Sequence, residues 1–165
     1  MASILPNPDL FVGMYVKKEA VLSSQIEGTQ ASLADLLQFD IGEGGEERRV
    51  DVEEVVNDIA AMKHGLARLD ELPLSLRLIR EIHGVLMKGV RGQHRDPGEF
   101  RKTQNWIGGG SSRLQDASFV PPPPHELMRV LGELETFLHD RTQPTLIHAG
   151  LAHAQFEHDG EHGRN

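Results

Sequence analysis

Apolar residues recur three and four positions apart through almost the whole chain, and that spacing confines it to helices packed on helices. Leu22, Ile26, Leu33 and Leu37 keep one stripe, which Gly28 interrupts, so two helices are expected on either side of the glycine. After the flexible, charged "GEGGEERR" the segment "DVEEVVNDIAAMKHGLARLDEL" places Val52, Val55, Val56, Ile59, Met62, Leu66 and Leu69 on one face with acids at the start, the pattern of a helix whose dipole is matched by its charges. Pro73 and Ser75 open a further helix carrying Leu76, Ile79, Ile82, Val85 and Leu86, since proline suits a first turn and serine a cap. "HELMRVLGELETFLHD" presents Leu127, Val130, Leu131, Leu134 and Leu138, and "TLIHAGLAHAQFE" reads as the last helix.

One stretch breaks the texture. "PGEFRKTQNWIGGGSSRLQDASFVPPPP" holds two strand-like pieces, Phe100 to Ile107 and Ala117 to Val120, around a Gly/Ser tip. It predicts a β-hairpin or extended flap over about 97–124, with four prolines leading into the next helix. A chain of 165 residues has enough material for one core and little for two. The expected architecture is all-α and compact, with one β excursion.

Charge narrows the function. Seventeen Lys and Arg against 25 Asp and Glu leave a net charge of −8, which argues against a protein whose affinity comes from neutralising nucleic-acid phosphates. Cysteine is absent, so thiolate nucleophiles, thiolate metal sites and disulfides are excluded and a reducing cytoplasm is the natural setting. The start "MASILPNPDLF" lacks a basic leader, and no stretch approaches the roughly 18 apolar residues of a membrane span. A cytoplasmic protein that binds neither membrane nor nucleic acid is expected.

Three short stretches could carry chemistry. "SSQIEGT" contains the S-x-x-E spacing of a capping box at Ser24 and Glu27, yet periodic residues precede it and Gly28 follows, so Glu27 falls nearer a helix end, where a carboxylate opposes the dipole unless a cation meets it. The tail "HAQFEHDGEHGRN" is rich in histidine and acid; His158 and His162 are i, i+4, as on a metal-binding helical face, but Gly160 and Gly163 disfavour a helix there. "DGEHGR" reads alternatively as a solvated turn or as an anion loop, in which Gly160 and Gly163 let backbone N–H groups converge on phosphate and Arg164 adds a bidentate charge.

Taken together, these stretches resemble the Fic family. "SSQIEGT" is similar to its inhibitory motif [ST]xxxE[GN], with Ser23, Glu27 and Gly28 at the fixed positions; "PGEFRKTQNWIGG" with "FVPPPP" resembles its flap, and "LAHAQFE" the helix before its active-site loop. Order and spacing agree from about Pro6 to Glu157. The resemblance implies an all-helical Fic bundle with one β-hairpin flap, an N-terminal segment with the inhibitory helix over 1–50, and a core over 51–165 that lacks the helices normally following the loop. It implies transfer of AMP from ATP to a hydroxyl of a target protein. In the family loop HxFx[DE]GNGRxxR the histidine is the general base, the acid holds Mg²⁺ and the glycine-arginine part cradles phosphates. Target docking is implied for the flap edge Thr103, Gln104, Asn105, Trp106 and Ile107, which would pair with a strand of the target. Glu27 would restrain activity by pairing with the second arginine of the loop.

The departure from the pattern falls at the chemistry. Asp159 and Gly160 match the acid, a candidate Mg²⁺ ligand, and the first glycine; Gly163 and Arg164 match the later phosphate-binding positions if Glu161 and His162 replace one asparagine. Gln155 stands where the base belongs and Glu157 where the phenylalanine belongs, and the second arginine is not present. His158 is the one histidine next to the site that can be drafted as a base, out of register. The tail therefore reads as the remnant of a phosphate loop, and apolar faces left open at ~25 cal/mol per Å² point to marginal stability or a homodimer. Three readings stand: a weak or inactive AMP transferase, a non-catalytic target-binding or regulatory module acting on another Fic subunit, and a histidine metal site at the tail.

Overall fold

The protein is described by a computed structural model at residues 8–26, 28–42, 49–89, 96–108 and 114–160. Six α-helices occur among them: α1 (Pro8–Ile26), α2 (Leu33–Asp40), α3 (Arg49–Arg68), α4 (Leu76–Leu86), α5 (Pro124–Leu138) and α6 (Thr145–Gly160). Two compact units result, one of Met1–Glu71 with Ile79–Gly98 and one of Leu72–Leu78 with Glu99–Asn165.

In the first unit α1, α2 and α3 share a core of Val16, Ala20, Val21, Ala31, Leu36, Val52, Val55 and Ile59, with Leu33, Phe39, Val56 and Met62 packed against it. The split at Gly28 is as expected, but the buried stripe differs. Ile26 is 86% exposed, and Leu22 and Leu37 are exposed as well. The face that α1 buries runs through Val16, Ala20, Val21 and Ser24, because small side chains let the α1 backbone approach α3 more closely than leucines would. Along α3 the predicted face holds at Val52, Val55 and Ile59 and drifts at the end, where Ala61 is buried and Leu66 and Leu69 are exposed.

The chain leaves α1 through a glycine that only a left-handed residue fits. Gly28 has φ +97°; its N–H donates to the Gln25 carbonyl at 3.1 Å and the Thr29 N–H to the Ser24 carbonyl at 3.0 Å. That pair of bonds is a Schellman motif, which satisfies carbonyls the helix end would otherwise leave unpaired. Ser24 thus lies near a helix end, where the sequence placed Glu27; Glu27 itself lies outside the described residues. A capping box forms at Ser32, whose hydroxyl accepts from the Asp35 N–H at 3.2 Å while Asp35 accepts from the Ser32 N–H at 2.9 Å, opening α2.

Ser24 is buried and its hydroxyl donates to Asp58 of α3. Burial pushes the Asp58 carboxyl above its ordinary value, with the Ser24 hydrogen bond acting against that and the Glu54 charge adding to it. Farther along, Asn57 donates to the carbonyls of Leu86 at 3.0 Å and Lys88 at 2.6 Å, closing the end of α4. Arg68 bonds Glu81 at 2.9 Å, joining the end of α3 to α4. The turn at Gly98, φ +81°, is held on α4 by Arg80 Nε donating to its carbonyl at 2.7 Å and by its N–H donating to His83 Nδ1 at 2.9 Å.

The second unit is built on α5 and α6. Leu127, Leu131 and Leu134 are buried on the predicted face of α5, and Pro124 sits in its first turn, where a missing N–H costs nothing. Ser75 and Glu135 each take a backbone N–H of the first turn of α4, from Leu78 at 3.3 Å and Leu76 at 3.0 Å. A short connection with Asp140 accepting from the Thr142 N–H and hydroxyl at 2.9 Å joins α5 to α6. The last helix runs to Gly160, three residues past the predicted end and over a stretch expected to be non-helical. Leu146, Ile147 and Leu151 are exposed on it, Leu146 at 87%.

The hairpin expected over 97–124 is not formed. Among the described residues the segment contains one isolated antiparallel bridge, Ile107 with Phe119, and a 3₁₀ turn at Leu114–Asp116. A ladder cannot lengthen past it, because Pro121 to Pro124 have no N–H to donate.

The raised carboxyl of Asp58 makes the folded chain hold that proton more tightly than the unfolded chain does. Its stabilising share is then full below the unfolded value near 3.8 and is lost as pH rises through the higher folded value. Asp58→Asn keeps the acceptor for Ser24 without the buried charge. We expect the stability of this variant, measured by urea melts, to depend less on pH above the unfolded value than the parent's does, and to be at least as high once the parent's Asp58 is ionised; an equal loss of stability at every pH would contradict the assignment.

Candidate functional site

The predicted catalytic residues lie on the last turn of α6. Asp159 is 1% exposed, so its carboxylate needs partners. One oxygen accepts from the Gln155 amide, one turn earlier on the same helix. The other lies 2.9 Å from His158 Nδ1. The His158 ring meets Phe119 edge-on, with ring centroids 5.0 Å apart, so the return half of the flap touches the helix end. Gln155 is i−4 to Asp159 and shares its face, whereas His158 is its immediate neighbour, turned about 100° around the helix. The group aligned with the acid is therefore an amide, which does not take up a proton at neutral pH.

Phosphate and metal contacts are less supported by this helix end. Gly160 is the last residue of α6, at the carbonyl-rich terminus whose dipole repels anions. Gly163 and Arg164 lie outside the described residues, as does His162. With both Asp159 oxygens engaged and the side chain buried, the acid does not fit the open, oxygen-rich shell that Mg²⁺ requires. No group of three or more His, Cys, Asp or Glu among the described residues stands ready to hold a metal ion. Of the other histidines of α6, His148 packs edge-on against Phe137 with ring centroids 4.5 Å apart and His153 is exposed.

The flap is held by side chains in place of a ladder. Arg101 donates through NH2 to the Pro122 carbonyl and through NH1 to the Thr103 carbonyl at 3.3 Å. Gln104 donates to the carbonyls of Asn105 at 3.0 Å and Pro121 at 2.9 Å. Ile107 N–H bonds the Phe119 carbonyl at 2.9 Å. Thr103 and Ile107 are exposed, and Gln104, Asn105 and Trp106 are half-buried. Gly108, φ +72°, passes so near Ser118 that a Cβ there would stand 2.3 Å from its hydroxyl. The sequence pattern gives Arg101 no role and assigns Gln104 only to the docking edge, although four consecutive prolines, whose carbonyls have no N–H groups beside them, require donors from somewhere else.

Of the predicted regulatory residues, Ser23 is exposed and its hydroxyl donates to Glu19 of the same helix at 3.3 Å. Gly28 makes the turn described above. Glu27 lies outside the described residues. An open groove of about 270 Å³ between α1, α2 and α3 is lined by Lys17, Leu36, Asp40, Val56, Ile59 and Lys63. It contains none of the predicted site residues, and Lys17 there is paired with Asp40 at 2.5 Å. No helix among the described residues is long and apolar enough to cross a membrane.

The arrangement is that of an all-helical scaffold with a proline-backed flap and an acid–glycine pair closing its last helix. The chain belongs to the Fic/DOC family: residues 1–67 match the model of the Fic/DOC family N-terminal region and residues 73–159 that of the Fic/DOC family itself. In fold it is similar to a Fic family protein from Desulfovibrio desulfuricans G20, with a TM-score of 0.67 and 19% identity, over 94% of this chain and 45% of that one. The chain thus spans less than half the length of that relative. No curated protein matches it at a significant level.

If Arg101 is what closes the flap, Arg101→Met removes its donors and leaves the Thr103 and Pro122 carbonyls unpaired. Limited proteolysis should then cut between 101 and 120 roughly tenfold faster, the size expected for losing about 1.5 kcal/mol of charged hydrogen bonding. Unchanged cleavage would show that Gln104 and the Ile107–Phe119 bridge suffice.

Proposed function

We propose that the chain is the scaffold of a protein adenylyltransferase, moving AMP from ATP to a target-protein hydroxyl under restraint by the Glu27 helix, and that in this chain the chemistry is weak or inactive. The observation that carries the reading is Gln155 hydrogen-bonded to Asp159 on α6, where the family's pattern puts an imidazole. In-line attack on phosphorus needs little from a protein beyond positioning and charge neutralisation, but the attacking hydroxyl must lose its proton. An amide cannot accept it. His158 has the chemistry for that task, and its Nδ1 is directed at Asp159.

ATP is the proposed nucleotide, with Gly160, Gly163 and Arg164 assigned to its phosphates on the family's pattern alone. Mg²⁺, when bound, supplies charge neutralisation at the phosphates, and a ligand role for Asp159 requires that it first give up Gln155 and His158. The target protein is proposed to dock along Thr103 to Ile107 by adding a strand to the flap. Cytoplasmic location agrees with the absence of cysteine from the sequence.

A second reading is favoured by one contrast. The turn at Gly28 keeps its two backbone hydrogen bonds and the flap base its side-chain donors to Pro121 and Pro122, whereas the base position is substituted. On this reading the chain is a non-catalytic module that docks a target or acts on another Fic subunit.

Incubation with ATP labelled at the α-phosphate, Mg²⁺ and cell extract separates these. AMP incorporation should fall below that of a full-length Fic relative by about 10²-fold or more, the usual contribution of a general base. Labelling at a comparable rate would overturn the proposed inactivity. Failure to associate with a full-length relative in a pull-down, with no change in its labelling, would end the second reading.

A further inference from the structure

Gly98 is gripped at both of its backbone polar groups by side chains of a single helix. Its carbonyl accepts from Arg80 Nε at 2.7 Å, and its N–H donates to His83 Nδ1 at 2.9 Å. Arg80 and His83 are i, i+3 on α4, so one face of that helix supplies both groups. The backbone comes close enough because glycine has no Cβ; one placed there would stand 3.1 Å from the Arg80 carbonyl. The turn is also held against local preference. Asp96 has φ +49° directly ahead of Pro97, whose ring biases the residue before it toward extended backbone. Beyond Gly98 the chain passes into the second unit and the flap.

A backbone N–H can only donate, so this bond fixes the state of the imidazole: Nδ1 presents a lone pair and the proton of the neutral ring sits on Nε2. Protonation of Nδ1 would set two N–H groups against each other and put an imidazolium one helical turn from the Arg80 guanidinium. Both effects oppose the grip, and they arise where an imidazole changes charge, near about pH 6.5. Of the positions one turn from His83 on α4, which are 79, 80, 86 and 87, only Arg80 is charged. Asp96 and Glu99 flank the turn, but both are exposed and screened by water. From α3, His64 and Arg68 meet Glu81, about 200° around α4 from His83, and charging His64 would tighten that contact. We propose that His83 is a pH-sensitive latch at the root of the flap, closed on the Gly98 N–H while its ring is neutral and open once the ring is protonated. The bond is therefore present above the imidazole range and lost as pH falls through it.

The test follows hydrogen exchange of the Gly98 amide in the full chain from about pH 8 to about pH 5, the span across which an imidazole titrates. Rates are read as protection factors, so that the intrinsic pH dependence of exchange cancels. In the parent, protection at Gly98 should fall about tenfold, the size expected for losing one hydrogen bond, while the Val55 amide in the middle of α3 keeps its value. His83→Asn offers a carbonyl oxygen near the place of Nδ1 and does not titrate, so its protection at Gly98 should stay high throughout. His83→Phe removes the acceptor and should show low protection at both ends of the range. Should His83→Phe not fold, the parent and His83→Asn decide between them. Protection at Gly98 that is flat in the parent, or that falls equally in the parent and in His83→Asn, would overturn the latch. A parallel fall at Val55 would overturn it too, because acid would then be opening the whole unit.

Discussion

One hydroxyl and one partly desolvated carboxylate decide how the first helix leaves the core. Ser24 is small enough to let α1 lie close to α3 and polar enough to bond Asp58 when it gets there. The same residue accepts the Thr29 N–H that closes the turn at Gly28. Helix packing and helix termination therefore converge on a single residue, through its side chain and its carbonyl. The core residues Val16, Ala20, Val52 and Val55 supply the burial; Ser24 and Asp58 supply the register.

The second unit divides its labour differently. Its flap depends on donors that are side chains, since the proline run accepts but does not donate. Its last helix ends in a buried acid whose partners are Gln155 and His158. The group that shares a face with that acid is an amide, which has no capacity for proton transfer at neutral pH.

Much of the helical plan was legible in the sequence. The three-and-four spacing located α3, α4 and α5, and Gly28 marked the break between α1 and α2. The buried face of α1 was not legible, because the pattern weights leucine and isoleucine, while close approach favours Val16, Ala20 and Ser24. Strand propensity in Phe100–Ile107 suggested a hairpin, and the prolines opposite it prevented one. Asp58 carries no signal in the sequence, since a contact 34 residues away leaves no trace in local spacing. The periodic residues before Ser24 placed it near a helix end rather than a start, and a capping box forms at Ser32, where no helical turn precedes the serine. Motif resemblance identified the family where local physics could not, and Gln155 was legible as a substitution only against that motif.

A double-mutant cycle between Ser24 and Asp58, each replaced by alanine singly and together and measured by urea unfolding, tests the central claim most directly. The account predicts a coupling of about 1–3 kcal/mol, within the range for a desolvated hydrogen-bonded pair. Additive losses, with coupling near zero, would mean that the two groups are neighbours without dependence and that the exit of α1 is set by apolar packing alone.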